Sequence, residues 1–136
     1  MPCNSTSHIT SQRASLQSAA EKYLIMCTNY MSVGRILFKG DYLLSNNRKS
    51  KAIFQDDGNF VVYTNERAVW ASNTANTDAL QVIMQGDGNL VIYTNQSPIW
   101  SSKTSGGNKD VLPFLRLNDE GVLVLTLGGG VIWKSK

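Results

Sequence analysis

Residues 85–93 read Gln-Gly-Asp-Gly-Asn-Leu-Val-Ile-Tyr, and residues 55–63 read Gln-Asp-Asp-Gly-Asn-Phe-Val-Val-Tyr. Both segments share the pattern Q-x-D-x-N-x-V-x-Y, in which every second position is specified. Residues 117–125 form a third, degraded copy, and in this alignment it keeps only the aspartate, Asp119. A unit this short cannot bury an apolar face alone, so the three copies are expected to pack together.

Each copy is predicted to be a β-hairpin. An Asp-Gly or Asp-x-Gly turn between two apolar runs is typical of this element, and from residue 29 onward short apolar runs alternate with turn residues. Gln is then expected to end one strand, Asp to lie in the turn, and Asn to open the next strand. The pattern predicts an all-β domain over residues 29–136, built from meanders of short antiparallel strands.

The three tryptophans support this period. Trp70, Trp100 and Trp133 each close one repeat in a similar phrase, in which a β-branched residue precedes and a serine follows two positions later. Equivalent large aromatics predict three small sheets around a pseudo-threefold axis, with the indoles meeting at the centre. Surface tryptophans are the less favoured alternative, because burying such a side chain removes about 150–250 Å² from water.

The first 28 residues differ from the rest. Apolar residues from Leu16 to Cys27 recur at steps of three and four, which predicts an amphipathic helix over residues 11–27 after a loose tail. We therefore divide the chain into a partly helical or disordered extension, 1–28, and the β domain, 29–136. Cys3 and Cys27 could pair, stay free or link two chains.

Composition excludes several classes of function. The net charge of +3 is small and scattered, and the basic group Arg48, Lys49 and Lys51 reads as a solvated turn, so nucleic-acid binding is not expected. Nothing approaches the roughly 18 apolar residues of a membrane span. The polar N-terminus carries no recognisable signal peptide, which leaves a cytoplasmic location, a missing leader or an unconventional export route open.

The repeated motif predicts a polar binding site. Side chains spaced by two on a strand share a face, so the motif residues gather at one hairpin tip while Phe60 and Val62 point into the core. A carboxylate, two amides and a phenol around one aliphatic side chain suit a sugar, whose hydroxyls both donate and accept. The predicted site residues are Gln55, Asp57, Asn59, Val61 and Tyr63 in one copy and Gln85, Asp87, Asn89, Val91 and Tyr93 in the other.

Turn chemistry alone is the competing explanation. Asp and Asn at a hairpin often satisfy local backbone groups. Two complete copies argue against it, because a turn requires neither Gln nor Tyr. In our alignment the third copy keeps the turn without Gln, Asn or Tyr, so folding does not need those residues.

The repeated motif followed by a Trp-Ala/Ser-Ser phrase resembles the monocot mannose-binding lectins, also called bulb-type or B-type lectins. Residues 39–47 and 54–59 look most like the lily-type lectins of fish skin and mucosa. The resemblance covers about residues 29–136. It implies a β-prism II fold of three four-stranded antiparallel sheets and calcium-independent binding of α-D-mannose, without a metal or another cofactor.

By that resemblance, Gln, Asp, Asn and Tyr of both copies would hydrogen-bond the sugar, and Val61 and Val91 would touch its apolar face. Asp and Asn would hold the axial 2-hydroxyl that distinguishes mannose from glucose. The implied partners are mannose and high-mannose glycans on glycoproteins or microbial surfaces. The third copy is expected not to bind. The disulfide of the plant lectins would join positions matching Gly58 and about Leu80, so that bridge is absent here.

Two further expectations follow from the family. In the plant lectins the last strand, here Val131 to Lys136, crosses into a partner's sheet, which implies a homodimer. An extracellular or mucosal role in defence or agglutination would match the fish lectins.

An enzyme is not expected. The only histidine, His8, lies in the tail, and Asp57 and Asp87 belong to different repeats, so threefold geometry should hold them farther apart than the roughly 5–10 Å of a glycosidase pair. One carboxylate per motif is also too few for calcium, which takes six to eight oxygens. The alternative that stays open is a β-prism that binds proteins without binding sugar. Retention on immobilised mannose would separate the two.

Overall fold

The structure is a computed structural model that describes residues 28–107 and 110–136. The predicted helix over 11–27, the tail before it, and both cysteines lie outside the described residues. Twelve strands make up the described part. They are β1 Tyr30–Ser32, β2 Ile36–Phe38, β3 Tyr42–Leu44, β4 Ser50–Phe54, β5 Phe60–Thr64, β6 Arg67–Ala71, β7 Gln81–Met84, β8 Leu90–Tyr93, β9 Pro98–Ser101, β10 Pro113–Leu117, β11 Leu123–Leu127 and β12 Gly130–Lys134.

The strands form three antiparallel sheets of four strands each, in the orders β3-β4-β5-β6, β2-β7-β8-β9 and β1-β10-β11-β12. This confirms the predicted β-prism II architecture. Only the first sheet is a meander of four consecutive strands. The other two repeats supply three strands each, and the fourth comes from the start of the domain, where β2 pairs with β7 and β1 pairs with β10. The meander prediction was therefore incomplete for these two sheets.

The three tryptophans meet at the centre of the prism, as predicted. Their ring centroids are 5.7, 5.7 and 5.8 Å apart, with interplanar angles of 71–76°. Edge-to-face contacts of this kind contribute about 0.5–1.5 kcal/mol per pair beyond the burial of area. The indoles are half-buried and pack against the apolar core, and Trp70 also meets Phe60 edge-to-face. Each sheet is thereby joined to both others.

Strand alternation sets the core. Phe60 and Val62 on β5, and Leu90 and Ile92 on β8, have no exposed surface. Their neighbours along each strand point to the outer face of the sheet. The inward face of each strand therefore builds the core, and the outward face of β5 and β8 is available for the motif side chains.

Within the described residues, no helix is long and apolar enough to cross a bilayer.

The hairpin turns depend on glycine at two equivalent positions. Gly58 and Gly88 have φ angles of +89° and +91°, a conformation that residues with a Cβ rarely adopt. The turns are also packed closely, because a Cβ on Gly88 would lie 3.0 Å from the Thr104 carbonyl oxygen. A Cβ on Gly58 would lie 3.2 Å from the Cβ of Ala79, somewhat closer than the roughly 3.5–4.5 Å between the Cβ atoms of a disulfide. The buried Ala79, one residue before the expected Leu80, thus faces Gly58 where the plant lectins are expected to be bridged.

Candidate carbohydrate-binding site

The two complete motifs form equivalent sites at the tips of the β4–β5 and β7–β8 hairpins. In the first, the Gln55 N–H donates to the Asn59 carbonyl oxygen at 2.9 Å and the Gly58 N–H donates to the Gln55 carbonyl oxygen at 3.0 Å. The same two bonds recur at 3.0 and 3.2 Å in the second turn. Each turn folds the motif back on itself, so its five specified residues lie around one tip.

Gln and Tyr of each motif contact each other directly. Gln55 Nε2 donates to the Tyr63 hydroxyl at 2.5 Å, and Gln85 Nε2 donates to the Tyr93 hydroxyl. A phenol that accepts one hydrogen bond can still donate its own proton, and the amide oxygen of each Gln remains an acceptor. The pair is half-buried. Each hydrogen bond therefore holds two groups in place and leaves each of them able to bond a ligand hydroxyl.

The motif asparagine is oriented from behind. Asn59 Oδ1 accepts from Ser72 Oγ at 3.2 Å and from the Thr74 N–H at 3.1 Å. In the second site, Asn89 Oδ1 accepts from Ser102 Oγ and from the Thr104 N–H, each at 3.2 Å. With the carbonyl oxygen occupied, the amide nitrogen becomes the group that each Asn can offer as a donor.

Serine and threonine behind the site were not predicted. Thr74 Oγ1 donates to the Gly58 carbonyl oxygen at 2.6 Å, and Ser72 Oγ accepts from the Phe60 N–H at 3.1 Å, so one network fixes both the turn and the asparagine. Its signal was available in the sequence, because residues 70–74 and 100–104 share the pattern W-x-S-x-T. The Trp-Ala/Ser-Ser phrase of the sequence analysis includes the tryptophan and the serine of this pattern but not the threonine.

The aspartate of each motif is exposed and only partly used by the fold. Asp57 Oδ1 accepts from the Asn59 N–H at 2.9 Å, and Asp87 Oδ1 accepts from the Asn89 N–H at 3.0 Å. A carboxylate has about four acceptor positions on two oxygens. The aspartate therefore does satisfy a backbone N–H of the turn, as the explanation by turn chemistry alone predicts. The carboxylate nevertheless keeps acceptor positions for a ligand.

The two valines lie at the floor of the sites. Val61 is 3% exposed and Val91 is 2% exposed, and each faces the isoleucine opposite it in the sheet, Ile53 or Ile83. The expected apolar contact is thus a small spot beneath the polar groups. The structure brings all five residues of each motif together, with one apolar point among donors and acceptors of fixed orientation.

The third repeat follows a different alignment from the predicted one. The Asn118 N–H donates to the Val122 carbonyl oxygen, and the Gly121 N–H donates to the Asn118 carbonyl oxygen, as Gln and Gly do in the other turns. The bulge that follows Val62 and Ile92 follows Leu125 here. Asn118 is therefore the counterpart of Gln55, and the prediction that Asp119 keeps the motif aspartate was wrong by one residue.

In the corrected register, the motif positions of the third repeat are occupied by Asn118, Glu120, Val122, Val124 and Thr126. The tryptophan then follows its acidic residue at the same interval in all three repeats (57 to 70, 87 to 100, 120 to 133). The shifted Asp119 has another use, since its Oδ1 accepts from the Asn47 N–H at 2.9 Å in the β3–β4 turn. Valine and threonine replace Asn and Tyr, so the polar set of the two complete motifs is not reproduced.

Comparison with known proteins identifies the family. No family model matches the chain. The B-type lectin plumieribetin of Scorpaena plumieri is 44% identical over 107 residues, which are 79% of this chain and 94% of the relative. A monomeric mannose-binding lectin of Gastrodia elata has a similar structure, with a TM-score of 0.71 and 33% identity over 79% of this chain and 96% of that one.

The mannose-specific agglutinin of snowdrop bulbs (Galanthus nivalis), solved with methyl-α-D-mannoside, is similar at a TM-score of 0.64. It is 32% identical, over 72% of this chain and 88% of that one. The chain belongs to the B-type lectins, the bulb-type family that the sequence motifs indicated. Lectins bind carbohydrate without converting it, in agreement with the prediction that the chain is not an enzyme.

Proposed function

We propose that this lectin binds α-D-mannose and mannose-containing glycans at two sites per chain, without calcium. One observation carries the proposal: two sets of Gln, Asp, Asn and Tyr are held by the same hydrogen bonds in two separate sheets. Two of the structural relatives named above are mannose-binding by their names, and one was solved with a mannoside. The third repeat, with valine and threonine at two polar positions, is assigned no mannose site.

The axial 2-hydroxyl of mannose is assigned to Asp and Asn of each site. The carboxylate accepts the proton of this hydroxyl. The amide nitrogen of Asn, whose own carbonyl oxygen is already hydrogen-bonded within the protein, donates to the oxygen of the hydroxyl. An equatorial 2-hydroxyl, as in glucose, would leave these groups without partners, and an unmade hydrogen bond costs about 1–3 kcal/mol. The site should therefore prefer mannose over glucose.

Retention on immobilised mannose tests the proposal. We expect the protein to be retained, to be released by methyl α-mannoside and not by methyl α-glucoside, and to behave identically with a chelator present. An identical matrix carrying glucose is the control for non-specific retention. Passage through the mannose matrix without delay would reject the sugar-binding function. Loss of retention with the chelator would reject calcium independence alone.

Each site alone should bind weakly. A shallow set of a few hydrogen bonds with one small apolar spot is consistent with a dissociation constant near the millimolar range, about −4 kcal/mol. Joining several sites on one particle can raise overall affinity by a factor of about 10²–10⁴. We propose that the protein acts outside the cell, where it would bind and agglutinate glycan-covered surfaces such as those of microbes.

A homodimer would raise the number of sites to four. We propose that two chains exchange β12, so that Trp133 of each completes the aromatic cluster of the other. The strand pairs with β11 at the edge of its sheet, begins at Gly130 and follows two further glycines, Gly128 and Gly129. Val131 and Ile132 beside them are exposed, at 57% and 38%. An exchanged strand would keep every contact it makes within one chain.

Sedimentation velocity of the intact chain tests the dimer. We expect the intact chain to sediment with the mass of two copies, and removal of residues 131–136 to abolish the dimer together with the fold. A monomer from the intact chain, as the name of the Gastrodia elata lectin states for that protein, would contradict the exchange. It would leave the two sugar sites of one chain unaffected.

A further inference from the structure

A groove opens beside the first site. It has a volume of about 430 Å³ and shares Gln55 and Tyr63 with the site. Leu44 and Ile53 contribute apolar surface to it. A sugar held at Gln55 and Tyr63 would therefore have room for a substituent directed into the groove.

The rim of the groove is basic. Arg48, Lys49 and Lys51 line it, and Glu66 is the one acidic residue among the lining residues that the structure describes. Lys51 lies on β4 directly opposite Tyr63, and its Nζ is 4.6 Å from the centroid of the Tyr42 ring. A cation against an aromatic face is attracted to it and is limited in where it can reach. The groove thus places positive charge next to a group that is assigned to the sugar.

The backbone beneath this charge is fixed from two sides. On one side, Asp119 accepts from the Asn47 N–H at 2.9 Å, and its carbonyl oxygen accepts from Asn47 Nδ2 at 3.2 Å. On the other side, the Lys49 carbonyl oxygen accepts from the Asn65 N–H at 2.8 Å. The turn that carries Arg48 and Lys49 is therefore held in place before any ligand arrives, which lowers the entropic cost of binding.

Among the residues that the structure describes, the second site has a neutral side chain at the position of Lys51. Gln81 lies opposite Tyr93, where Lys51 lies opposite Tyr63. Phe38 on β2 takes the place of Leu44 beside it. Since β2 and β7 are separated by an entire sheet in the chain, no tight turn joins them, and the second site has no counterpart of the Arg48 and Lys49 turn. The two sites are alike at the sugar and differ beside it.

We propose that the first site takes mannosides carrying an oxyanion, a phosphate or sulfate ester seated in the basic groove, whereas the second takes neutral mannose. The inference rests on the proposed mannose function. Ammonium and guanidinium groups are the usual protein partners of such oxyanions. Because the basic groups are exposed, the gain should be moderate and sensitive to salt.

The test measures each site alone. In Asp87→Asn, which disables the second site, methyl α-mannoside is titrated beside α-mannosides phosphorylated at the 3-, 4- or 6-hydroxyl. At least one phosphorylated ligand should bind about three- to tenfold more tightly at low ionic strength, and the advantage should vanish near 1 M salt. The matching sulfate esters, with one charge where phosphate has nearly two, should gain less. In Asp57→Asn, which leaves only the second site, no ester should gain.

The second site supplies the matched variant. Lys51→Gln gives the first site the glutamine that the second site has at this position, Gln81, and it should lower the ratio of phosphorylated to neutral affinity, with Arg48 and Lys49 accounting for what remains. The proposal is overturned if no phosphorylated mannoside gains, if the gain is undiminished in Lys51→Gln, or if inorganic phosphate alone displaces methyl α-mannoside. If wild type does not bind methyl α-mannoside at all, the mannose function itself fails. Binding of the neutral sugar without any gain rejects the basic groove alone.

Discussion

Replacing Trp133 with alanine is expected to lower the free energy of unfolding by about 3–5 kcal/mol, the usual cost of truncating a packed tryptophan. The indole contacts both other tryptophans at 5.7–5.8 Å, so its loss leaves a cavity on the axis that all three sheets share. For a domain of this size, the melting temperature should fall by on the order of 15 °C or more. Urea unfolding followed by far-ultraviolet circular dichroism measures the change.

Val131→Ala is the matched control. It lies on the same strand, β12, and its side chain is 57% exposed, so we expect a change within about 0.5 kcal/mol. Equal midpoints for Trp133→Ala and wild type would show that the central cluster does not hold the sheets together. A large loss in the valine variant would mean that the strand, and not the indole, is the sensitive element.

Converting both Asp57 and Asp87 to asparagine is expected to abolish retention on mannose without unfolding the protein. Asparagine keeps the Oδ1 that accepts from the backbone N–H in each turn, so the turn bond is preserved. The charge is lost, and a hydrogen bond to a charged group contributes about 1.5–3 kcal/mol. Each site should therefore weaken by about one to two orders of magnitude, measured by titration with methyl α-mannoside.

Asp56→Asn is the control for the loss of charge. Asp56 is exposed and adjoins Asp57 in the same turn but lies outside the motif, so its substitution should leave retention unchanged. Each single variant, Asp57→Asn or Asp87→Asn, should keep one site and be retained less strongly. Full retention of the double variant, with an unchanged melting curve, would show that the carboxylates do not bind the sugar.

The architecture could be predicted from the sequence because each repeat carries two independent signals of it. Turn residues at fixed spacing indicated the hairpins, and one tryptophan per repeat indicated a common axis, which the indole contacts confirm. The positions of β1 and β2 were not predictable in this way. Each has only three residues, too few for a clear alternation, and pairs with a strand far along the chain. Tertiary packing determines which strand each of them pairs with, and the local sequence carries little sign of that pairing.

The third repeat shows where residue identity misleads. Matching Asp119 to Asp87 relied on one shared residue of the motif, whereas the backbone matches Gly121 to Gly88, because both have positive φ at the same point of the turn. A required backbone conformation aligns repeats more reliably than a shared functional residue. The orientation of Asn59 was likewise hidden, because it depends on Ser72 and Thr74, which come close only when β6 pairs with β5.

The order of strands in the sheets also constrains how the chain is completed during synthesis. β3 to β6 are consecutive, so their sheet can close through short loops soon after it is made. β2 can pair only after β7 has been made, and β1 only after β10, so each pairing closes a long stretch of chain at greater entropic cost. The last sheet contains both the first and the last strand of the domain. Arrival of β12 therefore finishes that sheet and delivers the third indole in one step, and a ribosome-bound chain that lacks it holds two tryptophans without their third partner.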